Sequence, residues 1–365
     1  MRRVIHAPSP TVEIETQRTF STPALVVDLD TFERNVRAMS ELLEGTGKSV
    51  RPHVKTHRTP ELARRQLGGS ARGVTCATVG EAEVMVAAGI TDVLLANELV
   101  DPLKMDRLVG LAHEAAVTVA ADDPEPVTSL STRAARAGVT VGVLIDVDVL
   151  LHRCGVASAA EVLQMAAVID RSPGLRLDGL MGYEGRLRPG VQDRQAKIGR
   201  AYALLAETRD ALLRAGFAVE RVSAAGTSTL LEALTDPTIT EIQAGVYALM
   251  EPELLGMGLP FSCAAAIRGT VISRHDDRFV LDIGRRVVGV EYGPPLSAGF
   301  EVTSITLGDE HTIVTAEGPP PALGAELDFI PGQIRTTFNL HDHVWVSRGG
   351  ELIDCWPISA RGSSQ

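Results

Sequence analysis

The chain has 365 residues, with 35 Lys and Arg against 46 Asp and Glu, and its formal net charge is −11. This acidic balance argues against a nucleic-acid partner, which would need a basic surface for the phosphates. No run approaches the roughly 18 consecutive apolar residues of a membrane helix, the first residues do not resemble a secretory signal, and the four cysteines form no CxxC pair. We therefore expect a cytoplasmic protein with reduced thiols and no membrane partner.

The first two thirds of the chain predict parallel βαβ units. From Thr22 to about Tyr247, short β-branched runs alternate with stretches whose apolar residues recur every three or four positions. When the first run, ALVVDL at 24–29, is set aside, eight strands remain, the number that closes a (β/α)8 barrel. A doubly wound open sheet is the alternative, but no GxGxxG turn follows any of these strands.

After about Met250 the pattern changes to short strand-like runs broken by Gly, Pro and Asp. Such runs predict an antiparallel β-domain. We therefore expect two domains, an α/β domain with a TIM-type (β/α)8 barrel at residues 30–250 and a β-domain formed by 1–29 together with 251–365.

The strongest local signal for chemistry is Lys55, in the run RPHVKTH at 51–57. It follows the first predicted barrel strand, and barrel enzymes place their chemistry at the carboxyl ends of the strands. A desolvated lysine near other cations has a lowered pKa and can attack a carbonyl to form a Schiff base. Arg51 and His53 would be those neighbours. The alternative is a lysine at a strand end that points into solvent.

Several motifs spread over nearly the whole chain form a joint pattern. They are RPHVKTH at 51–57, GVTCATVGEAEVMVAAGITDVLLANE at 73–98, HRCGV at 152–156, GYEG at 182–185, GTST at 226–229, TEIQAGVY at 240–247 and DCWPISARG at 354–362. Together they resemble the D-threonine aldolase/D-serine dehydratase family, pyridoxal 5'-phosphate (PLP) enzymes of the alanine-racemase-like fold (PLP fold type III). In that fold the first strand, here ALVVDL, joins the β-domain.

The resemblance also implies roles for individual residues. Lys55 would hold the cofactor covalently, and His57 would be a second acid/base, although a helix-capping histidine is the alternative. The implied cofactor contacts are Gly226, Thr227, Ser228, Gly245 and Tyr247 at the phosphate, and Arg153 and Tyr183 at the ring. The alternatives are an ordinary Ser/Thr helix cap for the turn at 226–228, a solvated arginine at 153 and a half-buried rim tyrosine at 183.

One family motif is altered. The family binds a divalent metal through a motif resembling P-x-H-x-[CD]-x-T-x-N-L, and this chain reads PGQIRTTFNL at 331–340. Gln333 is a poor transition-metal ligand and Arg335 cannot be one, so we expect no metal at this position. Arg335 would instead supply a fixed positive charge at the catalytic site. His341 and His343 are the alternative metal pair.

Three functions follow from these sequence features. The first is a PLP-dependent lyase that cleaves a β-hydroxy D-amino acid by retro-aldol reaction without metal, with a preference for an anionic side chain held by Arg335. A D-serine dehydratase-like ammonia-lyase is a variant of this first function. The second function is a racemase or epimerase, and the third is a non-catalytic PLP carrier. The resemblance further implies a homodimer in which the partner's residues 256–365 complete each active site.

Overall fold

The computed structural model describes residues 20–185, 187–316 and 318–365. Part of the predicted β-domain, residues 1–19, therefore lies outside the described residues. The strands are β1 Ala24–Asp28, β2 Ser49–Val50, β3 Val74–Cys76, β4 Asp92–Leu95, β5 Ala116–Ala121, β6 Val141–Asp146, β7 Leu175–Gly182, β8 Arg221–Ala224, β9 Glu241–Ile242, β10 Ala265–Arg274, β11 Arg278–Leu281, β12 Leu296–Ser297, β13 Ser304–Leu307, β14 Thr312–Thr315, β15 Glu326–Ile330, β16 His343–Arg348 and β17 Glu351–Pro357. The α-helices are α1 Leu29–Leu43, α2 Pro60–Gln66, α3 Val79–Ala87, α4 Pro102–Leu111, α5 Pro124–Ala137, α6 Ala159–Asp170, α7 Arg194–Arg214, α8 Leu230–Thr235 and α9 Ile334–Leu340.

Strands β2 to β9 form one parallel sheet in the order β2-β9-β8-β7-β6-β5-β4-β3. Parallel bridges from Val50 to Ala71 and from His53 to Thr75 join its two ends. The eight strands therefore close into the barrel that the sequence predicts. Strand β6 is buried along its whole length, because a parallel strand in a barrel is covered on both faces.

Capping side chains define where several helices begin. Asp28, Thr78, Asp101, Asp123 and Ser158 each accept a hydrogen bond from a backbone N–H in the first turn of the following helix. Such caps satisfy backbone donors that would otherwise have no partner in the helix. Thr78 and Asp123 stand two residues after β3 and β5, so α3 and α5 start close to the carboxyl ends of these strands.

Arg51 belongs to a charged layer inside the barrel. Its Nε lies 2.9 Å from Oε2 of Glu241, and its Nη1 lies 2.7 Å from Oδ1 of Asp92. The side chain is almost completely buried, and these two carboxylates raise its pKa against the opposing effect of burial. The expectation that Arg51 acts as a cation on Lys55 is therefore wrong, since its charge is compensated locally.

The second sheet follows the order β13-β14-β11-β10-β1-β16-β17, with β15 paired to β10 and β12 paired to β15. Strand β1 precedes the barrel in the chain but pairs with β10 and β16 in this sheet. The predicted antiparallel β-domain is confirmed, with one parallel pair in its sheet, β1 and β16. The barrel lies between these two strands in the chain, and parallel neighbours need such a long connection.

Helix α9 interrupts the strands of the second domain between β15 and β16. It brings the altered family motif, residues 331–340, to the barrel. Within the described part of the chain, no helix is long and apolar enough to cross a membrane. The domain boundaries at residues 30 and 250 remain a prediction.

Candidate active site

A cavity of about 260 Å³ opens at the carboxyl ends of the barrel strands. Segments that follow β2, β6, β7, β8 and β9 line it, and α9 contributes one residue, Arg335, from the second domain. The cavity brings together most of the predicted site residues: Lys55, Arg153, Tyr183, Gly226, Thr227, Ser228, Gly245 and Arg335. Two predicted residues, His57 and Tyr247, do not line it.

Lys55 lies in a short 3-10 turn, Val54–Thr56, directly after the first barrel strand segment. The protein surrounding it lowers the pKa of its amine to about 8, first by burial and then through the charges of Arg335 and Arg153, while Glu81 opposes the shift. About a tenth of this amine is therefore neutral, and hence nucleophilic, at pH 7, whereas almost none of an ordinary lysine is.

Tyr183 forms the wall next to Lys55. The Lys55 Nζ atom lies 5.6 Å from the centroid of the Tyr183 ring, and Cζ of Arg153 lies 5.8 Å from the same centroid. Gly185 packs against this ring so closely that a Cβ there would come within 2.0 Å of Tyr183 Cε1. Glycine at 185 is therefore needed to hold the ring between the two cationic side chains.

The turn after β8 presents small polar residues to the cavity. Ala225 precedes it with a positive φ of 64°, a strained conformation for a residue with a Cβ. The N–H of Gly226 donates to Thr229 Oγ1 at 3.1 Å, and Thr227 Oγ1 accepts a 3.0 Å hydrogen bond from the Tyr247 N–H. The remaining donors of the turn, above all those of Ser228, suit an anionic group.

Gly245 lines the cavity beside the segment that carries Lys55. A Cβ at Gly245 would lie 2.5 Å from the His53 carbonyl oxygen and 2.5 Å from Thr56 Oγ1. The Tyr247 side chain points away from the cavity and packs against Phe261 with ring centroids 5.6 Å apart, and burial raises the pKa of its phenol. The backbone N–H of Tyr247, which donates to Thr227 Oγ1, is the part of this residue next to the turn, and its contact with the phosphate stays a prediction.

His57 has a structural environment. It is fully buried, its Nδ1 accepts a hydrogen bond from the Thr59 N–H at 3.1 Å, and its Nε2 lies 2.8 Å from Gln66 Oε1. Because Nδ1 is an acceptor, the proton is on Nε2 and is donated to Gln66. Burial lowers the pKa of the ring to about 4. With both nitrogens occupied and no access to the cavity, His57 is not positioned for the acid/base role that the sequence predicts.

The altered motif places a cap and a cation where the family has metal ligands. Gln333 caps α9, and its side chain accepts a 3.3 Å hydrogen bond from the Thr336 N–H. Arg335 projects to the cavity of its own chain, where its Nη2 donates to Tyr292 Oη at 3.2 Å and lies 3.5 Å from Glu251 Oε1. Since Arg335 and Lys55 act on the same cavity of one chain, the expectation that a partner supplies Arg335 is wrong.

The alternative metal pair is not assembled at the cavity. His341 Nε2 lies 2.8 Å from the Val287 carbonyl oxygen and so donates to it, and His343 is exposed on β16. Elsewhere on the rim, Glu98, Asp122 and Cys154 bring potential ligand atoms within 4.8 Å of one another.

Several polar cavity residues were not predicted as site residues, and His53, Gln243 and Glu251 are among them. His53 is buried, and its Nδ1 has no hydrogen-bond partner among the described residues. The basic cluster at 51–55 was a signal for His53. Glu251 had no signal of its own, because it stands where the barrel pattern ends.

Comparisons with known families agree with the two-part architecture. The family described as "Alanine racemase, N-terminal domain" matches residues 27–251, and the family described as "Putative serine dehydratase domain" matches residues 264–347.

Individual relatives cover the chain almost end to end. "D-threonine aldolase" of Arthrobacter sp is 36% identical, over 100% of this chain and 98% of the relative. "3-hydroxy-D-aspartate aldolase" of Paracoccus denitrificans (strain Pd 1222) is 34% identical, over 93% of this chain and 92% of the relative. The crystal structure of D-threonine aldolase from Filomicrobium marinum superposes with a TM-score of 0.90 at 34% identity, covering 94% of this chain and 97% of that one.

Proposed function

Because this chain belongs to the D-threonine aldolase-like branch of the alanine-racemase-fold enzymes, we propose that it cleaves a β-hydroxy D-amino acid by a retro-aldol reaction that needs no divalent metal. The protein is a lyase, and its cofactor is pyridoxal 5'-phosphate. When bound, this cofactor supplies an electron sink for the bond that breaks at Cα. The metal independence, the roles of single residues and the choice of substrate are our proposals.

The described residues fit this cofactor. The observation that carries the proposal is the cavity-lining Lys55, whose amine has a pKa lowered to about 8. It would hold the cofactor covalently. The turn at 226–228 and Gly245 would receive the phosphate, and Tyr183 and Arg153 would contact the ring. The unpartnered Nδ1 of His53 is a further buried polar atom that a bound group would satisfy.

The charge of the cavity supports a substrate with an anionic side chain. Among the described lining residues, one is acidic, Glu251, whereas Lys55, Arg153, Arg188 and Arg335 are basic. A cofactor phosphate and a substrate α-carboxylate would compensate part of this positive charge. Arg335 lies where the family's metal would stand, and a guanidinium can hold a carboxylate through two parallel hydrogen bonds. We therefore propose 3-hydroxy-D-aspartate as a better substrate than D-threonine.

Two finer points belong to the same proposal. We propose a cytoplasmic homodimer, on the resemblance and on the reduced state expected for the four cysteines. Since Arg335 and Lys55 serve one chain, mixed dimers of Lys55→Ala and Arg335→Ala protomers should not regain activity through Arg335. Recovery to half of the wild-type activity in purified mixed dimers, in which sharing in trans would leave one of the two sites complete, would contradict this arrangement.

Product analysis tests the reaction. The PLP-loaded protein is incubated with 3-hydroxy-D-aspartate, D-threonine and D-serine, and the expected products are an aldehyde and glycine. A 2-oxo acid with ammonia would identify a dehydratase, and loss of optical rotation without cleavage would identify a racemase. Either result would overturn the retro-aldol proposal.

A further inference from the structure

Glu251 is a buried carboxylate with one oxygen that has no partner. Its side chain has no exposed surface, yet it lines the cavity. Oε1 accepts a 3.1 Å hydrogen bond from the Ile334 N–H and lies 3.5 Å from Arg335 Nη2. Oε2 has no hydrogen-bond partner among the described residues. An unpaired buried carboxylate oxygen is costly, and such a group in a native protein calls for a functional reason.

The backbone before Glu251 is strained. Met250 has a φ of 53°, in the left-handed region that residues with a Cβ rarely adopt. Met250 is itself buried, and its N–H is bonded to the Val246 carbonyl, so this conformation is fixed. Strain that the surrounding structure maintains is concentrated at functional sites, where it positions a side chain. Here it directs the chain from the barrel into the turn that carries Glu251.

Charged groups on three elements face Glu251. Arg335 on α9 and Arg188 after β7 favour its ionised form, whereas burial and the neighbouring Glu253 favour the acid, so that its pKa is raised above the ordinary value. Cys263 also lies close enough to be affected by its charge. The two arginines stabilise the ionised form of Glu251, which is the form that can accept a proton. Its raised pKa makes this carboxylate a stronger base than an ordinary glutamate.

We propose that Glu251 takes the proton from the substrate's β-hydroxyl in the retro-aldol step. This inference rests on the proposed function and names the base that the reaction needs when no metal is used. The O–H proton passes to Oε2, the O–H electron pair becomes the second bond of the aldehyde carbonyl, and the Cα–Cβ bond breaks. Its electron pair stays with the amino-acid half, which later takes up one proton at Cα to give glycine. One proton is removed and one is returned, so no further reactant is needed.

A purely structural role is the competing explanation, since Oε1 anchors the first residue of α9. Glu251→Gln separates the two roles, because the amide oxygen can still accept the Ile334 N–H while the side chain can no longer take a proton. Glu33→Gln is the control: it removes a carboxylate that pairs with Arg65 and Arg348 and does not line the cavity. Thermal unfolding of both variants checks that the fold is kept.

The expected result for Glu251→Gln is a loss of kcat for aldehyde formation by about 10²–10⁴-fold, with the control within about twofold of wild type. The exchange of the glycine α-proton for deuterium, which involves no β-hydroxyl, should persist in both variants. Burial also raises the pKa values of Glu81, Asp146 and Glu184. On the cofactor-free protein, difference infrared spectra should therefore show one carboxyl group fewer titrating above the ordinary range in Glu251→Gln than in wild type.

Each outcome decides one point. A wild-type protein that forms no aldehyde would overturn the proposed function itself. If wild type cleaves its substrate and Glu251→Gln retains kcat within about threefold, or loses glycine exchange to the same extent as cleavage, the base assignment alone is wrong.

Discussion

The Nη2 atom of Arg335 lies 3.5 Å from Oε1 of Glu251 and 3.2 Å from the hydroxyl oxygen of Tyr292. The distance to Glu251 exceeds the roughly 2.7–2.9 Å of a strong charge-assisted hydrogen bond. The Cζ atom of Arg335 also lies 5.5 Å from the centroid of the Tyr292 ring, so this ring packs against one side of the guanidinium. Only one of its nitrogens makes these polar contacts, and the guanidinium therefore keeps donors for a second carboxylate.

The first prediction concerns the substrate preference of Arg335. Arg335→Ala should raise KM for 3-hydroxy-D-aspartate by about ten- to a hundredfold, because a charge-assisted hydrogen bond contributes about 1.5–3 kcal/mol. KM for D-threonine should change by less than about threefold. Steady-state kinetics with both substrates measures the difference, and Arg335→Lys, which keeps the charge but not the planar fork, should fall in between. An equal effect on both substrates would contradict carboxylate recognition.

Metal independence is the second prediction. Dialysis against a chelator should leave the activity unchanged, and elemental analysis should find no stoichiometric divalent ion, since Gln333 caps α9 and Arg335 repels a cation. Loss of activity that Mn²⁺ or Zn²⁺ restores would contradict it. In that case His343→Ala and Glu98→Gln would show whether the ion is bound near β16 or at the rim cluster with Asp122 and Cys154.

The third prediction concerns covalent attachment. After borohydride reduction and denaturation, wild type should retain the cofactor on the peptide that contains Lys55, and Lys55→Ala should retain none. The neutral amine is the reactive form, so the rate at which the cofactor-free protein takes up PLP should rise with pH through about 8, the pKa of Lys55. An ordinary lysine would require a pH above 10. Mass spectrometry and absorbance follow the two steps.

Lys48→Ala is the control for this experiment. Its Nζ donates to the carbonyl oxygens of Asp236 at 2.5 Å and Ile239 at 2.6 Å, away from the cavity. Attachment should be unaffected in this variant. A cofactor that remains covalently bound in Lys55→Ala would show that another amine reacts.

The sequence predicts the barrel well because its signals are local. The alternation of β-branched and amphipathic segments determines strands and helices one unit at a time, and Lys55 follows from its position after a strand. Arg335, the cation with the larger effect on Lys55, followed from the family motif and not from such a local pattern. Arg335 lies 280 residues further along the chain, and only the docking of α9 against the barrel brings it to the cavity.

His57 shows a second reason for failure. Two residues apart on a strand, Lys55 and His57 would share a face. The chain leaves the strand in the 3-10 turn Val54–Thr56, however, and this ends the alternation of faces. Lys55 consequently lines the cavity, whereas the His57 ring is directed into the core next to Phe338, with centroids 6.5 Å apart.

The last prediction is that His57 contributes to stability in a pH-dependent way. Its folded-state pKa of about 4 lies below the ordinary value of 6.5, so the unfolded chain binds more protons between these two values. The free energy of unfolding should therefore be highest above pH 6.5 and fall as the pH drops towards 4. At about 1.4 kcal/mol for each pKa unit, His57 accounts for about 3 kcal/mol of this loss. The buried His53, whose pKa is also lowered, contributes with the same sign.

Denaturant unfolding of the cofactor-free protein at pH 7.5, 6 and 5 measures this effect. His57→Gln should be less stable than wild type at pH 7.5, by about 1–3 kcal/mol for the unpaired Gln66 and Thr59 groups. The difference should shrink towards pH 5, because the variant has no ring to protonate on unfolding. The exposed His113 is the control, and His113→Gln should follow the wild-type curve. A gap between His57→Gln and wild type that stays constant with pH would show that the ring has the same pKa in the folded protein as in the unfolded chain.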